Sequence, residues 1–392
     1  MADGPVTPPI VRSSTFATKD AGELARRFAC AGGDPAGNLV YSRLSNPTVT
    51  ALEQLLASLE GAEACVATSS GMGAIHVALM AHLRPGARVV ADPCVYGCTH
   101  TLLDKLAKWG VEVVRVDTSD PVALEKAVGR RTDVLFVETP MNPTLRLVDL
   151  RHAAHTVHAA GGLLVVDNTF CTPAAQKPLE HGADLVVHSL TKGINGHSDV
   201  LGGAVLGSRK LLEPVWEWRK DAGPVMDAEQ AYQVWRGAQT LGVRVGASHA
   251  TALAIAEHLE SEGHAVRHPL LASHPQQALA LRQMPKGCSV LTLDLGSVDA
   301  AHAFLDRLRI VRRAVSLGGV ESLASHPWTT THAALPEDAR RRAGITPGLV
   351  RMSFGVEPFP QLLEDVLGAL QRRPVARPPQ ALARDAMVRA QR

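Results

Sequence analysis

Gly162-Leu-Leu-Val-Val-Asp167-Asn-Thr-Phe170 and, a little further on, Ala183-Asp-Leu-Val-Val-His188-Ser189-Leu-Thr191-Lys192-Gly-Ile-Asn-Gly-His197-Ser-Asp199 are two apolar runs that each end in polar side chains. An unbroken β-branched and leucine run without alternation predicts a strand buried on both faces, the pattern of a parallel sheet. Similar runs occur at Ala87–Asp92, Val111–Val116, Val134–Val137 and Gly203–Leu206, separated by stretches of helix length. This βα succession predicts a mostly parallel sheet flanked by helices, with ligands bound beyond the carboxyl ends of the strands. Glu138, Asp167 and Ser189 each close such a run.

An aspartate at one strand end and a lysine just beyond the next suit pyridoxal phosphate. Lys192 is read as the Schiff-base lysine, and Asp167 as the partner of the pyridinium nitrogen that keeps the ring an electron sink. Ser69-Ser70-Gly71-Met72-Gly73 precedes the helix-like Ala74-Ile-His-Val-Ala-Leu-Met80. It reads either as an ordinary glycine turn or as backbone amides cradling the cofactor phosphate at a helix start, and it is not the dinucleotide fingerprint.

Together with Pro178-Leu-Glu-His-Gly-Ala-Asp184, these segments resemble the Cys/Met-metabolism (trans-sulfuration) family of pyridoxal-phosphate enzymes. Tyr41-Ser-Arg43-Leu-Ser-Asn46-Pro47-Thr48, Tyr96-Gly97, Glu138-Thr-Pro-Met-Asn142-Pro-Thr144, Ser316-Leu-Gly-Gly-Val-Glu-Ser322 and Arg351 extend the resemblance, in family order, over roughly residues 5 to 370. It implies the pyridoxal-phosphate-dependent transferase fold of type I (aspartate-aminotransferase-like, α/β) with a smaller α/β C-terminal domain. Ser70, Gly71, Met72, Asn142, Asp167, Ser189, Thr191 and Lys192 would then bind the cofactor, with Tyr96 stacking on its ring and moving a proton to or from the leaving group. Tyr41 and Arg43 would reach the phosphate of a neighbouring subunit, in a homotetramer built as a dimer of dimers. Arg351 would grip the substrate α-carboxylate with a bidentate fork, Ser316 beside it.

The implied chemistry is removal of the Cα proton and then a Cβ proton by Lys192, followed by loss of the Cγ substituent with Tyr96 as acid. Three positions resemble the methionine γ-lyase branch: Cys98, the pair Lys220-Asp221, and Val315, where cystathionine enzymes tend to carry a glutamate. Taken without the resemblance, they read equally as a small packed thiol, a solvated ion pair and a core residue. Burying an unpaired ammonium against an apolar wall is unfavourable, so Val315 favours a substrate without a second amino group. The expected activity is therefore γ-elimination from an L-amino acid, giving a 2-oxo acid, ammonia and the leaving group. Alternatives are a γ-lyase dedicated to an unusual γ-substituted amino acid such as a γ-halide, a cystathionine γ-lyase or γ-synthase, and a catalytically silent cofactor-binding oligomer. Gly193, where the family commonly has tyrosine, and Trp328, where small residues are common, depart from the pattern; Trp328 would reshape the channel if it faced the substrate.

Composition agrees with this picture. The 392 residues exceed what one core usually spans. The expected units are an N-terminal segment 1–45, a large cofactor-binding domain 46–244, a C-terminal α/β domain 245–372 and a proline- and arginine-rich tail 373–392. The 40 basic and 38 acidic side chains nearly cancel and form no basic block, so small-molecule partners are expected and nucleic acid is not. No apolar run is long enough for a membrane span and no signal-peptide pattern opens the chain, which predicts a cytoplasmic protein. Six cysteines without a dense framework predict thiols, and Cys94 and Cys98 lack the partners that a zinc site needs.

Overall fold

The computed structural model describes residues 5–29, 39–333 and 335–370. The expected tail, 373–392, lies outside the described residues. The first sheet is built from β1 (Ala64–Thr68), β2 (Arg88–Ala91), β3 (Glu112–Arg115), β4 (Val134–Glu138), β5 (Leu163–Asp167), β6 (Leu185–Ser189) and β7 (Gly203–Gly207). Its seven strands run in the order β1-β7-β6-β5-β4-β2-β3. The pairs from β3 to β6 are parallel, and β7 runs antiparallel to both β6 and β1.

Alternation along the strands fixes what each face carries. Leu135, Val137, Leu164, Val166 and Val186 pack with the helices Pro47–Glu60 and Leu150–Ala159 on one face. Val134, Phe136, Val165, Leu185 and Val187 pack with Gly71–His82, Gly97–Lys108 and Arg209–Ala222 on the other. By the same parity Glu138, Asp167 and Ser189 leave their strand ends on the second face, toward the start of the helix Gly71–His82. His188 leaves on the first face and meets Glu60 at the end of Pro47–Glu60, with 2.7 Å between His188 Nε2 and Glu60 Oε2 and both residues buried.

A second sheet of five strands comprises β8 (Val266–Arg267), β9 (Val290–Asp294), β10 (Arg312–Arg313), β11 (Leu323–Ser325) and β12 (Leu349–Ser353), in the order β10-β11-β12-β9-β8. The helices Leu241–Ser261, Val298–Arg307 and Phe359–Leu370 cover it around Ile255, Phe304, Phe354 and Leu362. All of the first sheet falls within the expected unit 46–244 and all of the second within 245–372, while the helix Leu241–Ser261 runs across that boundary. Among the described residues no helix is long and apolar enough to cross a membrane. The five described cysteines are free thiols, and among the described residues no three His, Cys, Asp or Glu side chains gather as metal ligands.

Under the second sheet, burial holds His249 down at about 3 and His268 at about 4. Both rings are therefore neutral in the folded chain, whereas the unfolded chain takes up protons near pH 6.5. Their stabilising contribution is complete above that pH and falls as the pH drops toward the folded values. Between pH 7.5 and pH 5.0, denaturant unfolding of the cofactor-free chain is expected to lose about 2 kcal/mol for each ring. A stability unchanged over that interval would show that the two rings are protonated where they lie.

Candidate active site

The helix Gly71–His82 begins with Ser70, whose side chain accepts from the Gly73 N–H at 3.0 Å. Its first residue lies against the end of β6: a Cβ built on Gly71 would stand 2.8 Å from the Ser189 Cβ. Only glycine allows that approach, which brings the free amides of a helix start beside the hydroxyls of Ser189 and Thr191, a favourable place for a phosphate. These residues line a cleft of about 320 Å3, together with Met72, Tyr96, Glu138, Asn142, Asp167, Lys192, Val315, Ser316 and Arg351.

Lys192 donates from Nζ to Ser316 Oγ at 2.6 Å. Burial, and then the charge of Arg351, pull the amine down to about 8. Ser316 has a φ of 94°, in the left-handed region that a non-glycine residue rarely adopts. Its hydroxyl thus receives Lys192, while its carbonyl accepts from Arg351 Nη2 at 2.8 Å. Arg351 Nη1 donates to Asn142 Oδ1 at 3.0 Å, and Arg351 Nε is buried without a partner. Burial draws the guanidinium down to about 10, against the pull of Glu138 and Tyr96.

Asp167 is half-buried at the end of β5 and accepts from the Thr169 N–H at 3.0 Å. Burial raises its carboxyl above the ordinary range, while Thr169 and then His188 draw it back. It forms no ion pair among the described residues. A half-buried carboxyl without a cation and a half-buried amine without an anion share the cleft, with a tight amide-and-hydroxyl cradle beside them. That donor set fits pyridoxal phosphate, which brings a ring cation, a carbonyl carbon and a phosphate.

Tyr96, 42% exposed, stands immediately before the helix Gly97–Lys108. Burial and a side-chain hydrogen bond with Cys98 raise its phenol above the ordinary value, so it holds its proton at neutral pH. Cys98 itself is exposed beside Tyr96 and is not among the residues lining the cleft. Tyr41, Arg43, Lys220 and Asp221 are also outside it and form a separate surface cluster. There Arg43 donates to the Lys220 carbonyl at 2.8 Å and lies over the Tyr41 ring, and Lys220 pairs with Glu217 and Asp221.

The two departures from the motif pattern have local reasons. A Cβ on Gly193 would stand 2.9 Å from Thr172 Cγ2. The carbonyls of Gly193 and Ile194 are taken by Arg244 of the helix Leu241–Ser261, at 2.8 and 2.9 Å. Trp328 does not line the cleft; it is buried with Cys94, Ala343, Ile345 and Leu349, and Arg340 lies 3.9 Å above its ring. It therefore leaves the substrate channel alone. Glu138 was not read as a site residue from the sequence, yet it lines the cleft, and burial followed by Asp167 pushes its carboxyl up to about 8. Its signal was present: β4 ends in a carboxylate just as β5 does.

The family model for the Cys/Met metabolism PLP-dependent enzyme matches residues 2–371. The chain is 41% identical over 374 residues to an L-methionine gamma-lyase of Pseudomonas putida, covering 94% of this chain and 93% of that one. It is likewise 41% identical to an O-succinylhomoserine sulfhydrylase of Pseudomonas aeruginosa, over 91% of this chain and 89% of that one. The crystal structure of cystathionine gamma synthase from Xanthomonas oryzae pv. oryzae in complex with aminoacrylate and cysteine superposes with a TM-score of 0.86 at 42% identity, covering 93% of this chain and 92% of that one. Sequence, architecture and cleft agree: the chain belongs to the PLP-dependent enzymes of Cys/Met metabolism.

Proposed function

We propose that the chain catalyses γ-elimination from an L-amino acid of the methionine type, releasing a 2-oxo acid, ammonia and the protonated γ-leaving group. The observation that carries this reading is the double use of Ser316, hydroxyl on Lys192 and carbonyl on Arg351. A substrate whose α-carboxylate rests on Arg351 has its Cα within the reach of the Lys192 amine. With its value near 8, about half of the Lys192 side chains are neutral at that pH and able to accept a proton.

Pyridoxal phosphate, when bound, supplies the electron sink that makes the Cα and Cβ protons removable. The residues do the rest. Lys192 takes the two protons in turn, Arg351 and Asn142 keep the carboxylate still, and Tyr96 gives its proton to the heteroatom leaving Cγ. For L-methionine and one water the balance is methanethiol, 2-oxobutyrate and ammonium. The acidic side chains lining the cleft are Glu138 and Asp167, both at buried strand ends, whereas Val315 and Leu201 at the wall are 58% and 61% exposed and apolar. A substrate with a distal ammonium finds no carboxylate there, which favours a neutral γ-substituent.

The test is product analysis of the holoenzyme with L-methionine, L-cystathionine, O-acetyl-L-homoserine plus a thiol, and a γ-chloro amino acid. Fast methanethiol and 2-oxobutyrate from methionine is the expected result. A new thioether from the homoserine ester would instead indicate γ-replacement, a reading that the equally similar sulfhydrylase relative favours.

The proposal extends to a cytoplasmic dimer of dimers, in which Tyr41 and Arg43 complete the partner's cofactor site. Their place outside the lining of the chain's own cleft supports this, and the Arg43 contact with Lys220 carries Lys220-Asp221 along with them. Arg43→Ala is expected to weaken cofactor binding about tenfold or more, measured by equilibrium dialysis, because a charge-assisted phosphate contact is lost. Unchanged affinity would argue against a shared site.

A further inference from the structure

Glu138 has no part in the proton transfers above, yet it lines the cleft. It stands directly beside Asp167 in the β4–β5 register, on the same face of the sheet. Its Oε2 accepts from the Tyr96 N–H at 2.9 Å, and its Oε1 from the Asn142 N–H at 3.3 Å. Tyr96 is the last residue before the helix Gly97–Lys108, so the carboxyl group also closes the positive end of that helix. Asn142 in turn holds Arg351 through its side chain.

We propose that Glu138 is the positioning residue of this site, one buried side chain that registers the Tyr96 ring against the Asn142–Arg351 carboxylate receptor by holding both backbones. The roles of Tyr96 and Arg351 in this inference rest on the proposed function, but the two amide contacts do not. Three features favour it over a packing role. Both carboxyl oxygens are used, each on a different arm of the site. A carboxyl here is held against burial and the neighbouring Asp167 charge, an arrangement a packing role would not need. Finally, the hydroxyl of the next residue, Thr139, is taken up by the Val148 N–H at 3.1 Å, and Pro140 and Pro143 carry no side-chain donor or acceptor.

Glu138→Gln keeps the volume but can accept from only one of the two amides, and Glu138→Asp keeps the carboxyl but is too short by a methylene. In the cofactor-free chain, amide hydrogen exchange at Tyr96, Asn142 or both is expected to accelerate about tenfold in each variant, with Leu135 and Phe136 in the middle of β4 unchanged. In the holoenzyme, binding of L-alanine, followed by the change in cofactor absorbance, is expected to weaken about tenfold while cofactor affinity stays within about threefold. With a γ-substituted substrate, kcat is expected to fall and KM to rise together. Wild-type exchange at both amides in the two variants, or acceleration spread evenly along β4, would overturn the proposal. So would a loss of cofactor affinity as large as the loss of alanine binding. Amide exchange and alanine binding need no elimination, so a wild-type enzyme that turned over none of the test substrates would count against the proposed function and leave this test intact.

Discussion

Lys192→Ala is expected to lower kcat by about 10⁴-fold or more and to remove the visible absorption band that depends on the lysine amine. The size follows from the number of tasks proposed for one side chain: anchoring the cofactor and then serving as base at two carbons. No other amine approaches the cleft, since Lys192 is the one lysine among the described residues lining it. Folding should survive, because the amine bonds to Ser316 and forms no ion pair. Single-turnover assays and absorbance spectra of the variant provide the check. A variant that keeps the band and turns over substrate would move the covalent anchor elsewhere.

Asp167→Asn is expected to produce the second largest loss, about 10²- to 10³-fold in kcat, with weaker cofactor binding. Asparagine keeps the shape and the Thr169 contact but removes the negative charge opposite the ring cation. Taking away one member of a buried charge pair typically costs about 3–5 kcal/mol. The cofactor-free chain should respond in the opposite sense. Burial raises the Asp167 carboxyl above its unfolded value, so at neutral pH an acid at this position costs the empty chain stability. Asparagine removes that cost, and the melting temperature of the cofactor-free variant should rise. A packing residue would lose both stability and activity; a charge partner for the cofactor loses activity alone. Equal melting temperatures with unchanged kcat would remove Asp167 from its role.

Much of this was written plainly in the chain. β4, β5 and β6 are continuous apolar runs, and their ends carry Glu138, Asp167 and Ser189, so the sheet and the edge where chemistry occurs could be read together. The Gly71 turn was legible as one of two readings, and its close approach to Ser189 is a property of the fold that spacing does not record. β1 was missed because Ala64-Cys-Val-Ala-Thr68 has a single β-branched residue before its last position, and its strand character comes from pairing with β7. Glu138 was visible as a strand end but passed over, because its importance lies in two backbone amides that no side-chain motif records. The direction of Trp328 lay beyond sequence reasoning, since it depends on Arg340 stacking from a separate helix. The surface position of Tyr41, Arg43, Lys220 and Asp221 was equally hidden, because proximity to a cleft is a property of the folded chain and not of motif spacing.

Arg244 belongs to a helix that covers the second sheet, yet three hydrogen bonds of its side chain end on carbonyls at Gly193, Ile194 and Gly237. A Cβ on Gly196 would fall 1.9 Å from its Nη1, so the loop after Lys192 is moulded around this one guanidinium. The loop that carries Lys192 is thereby fastened to the C-terminal half of the protein. Circular permutants or split versions with new ends next to residue 244 would cut that tether, and the two halves, even if each kept its sheet, would reassemble with the lysine loop unmoored.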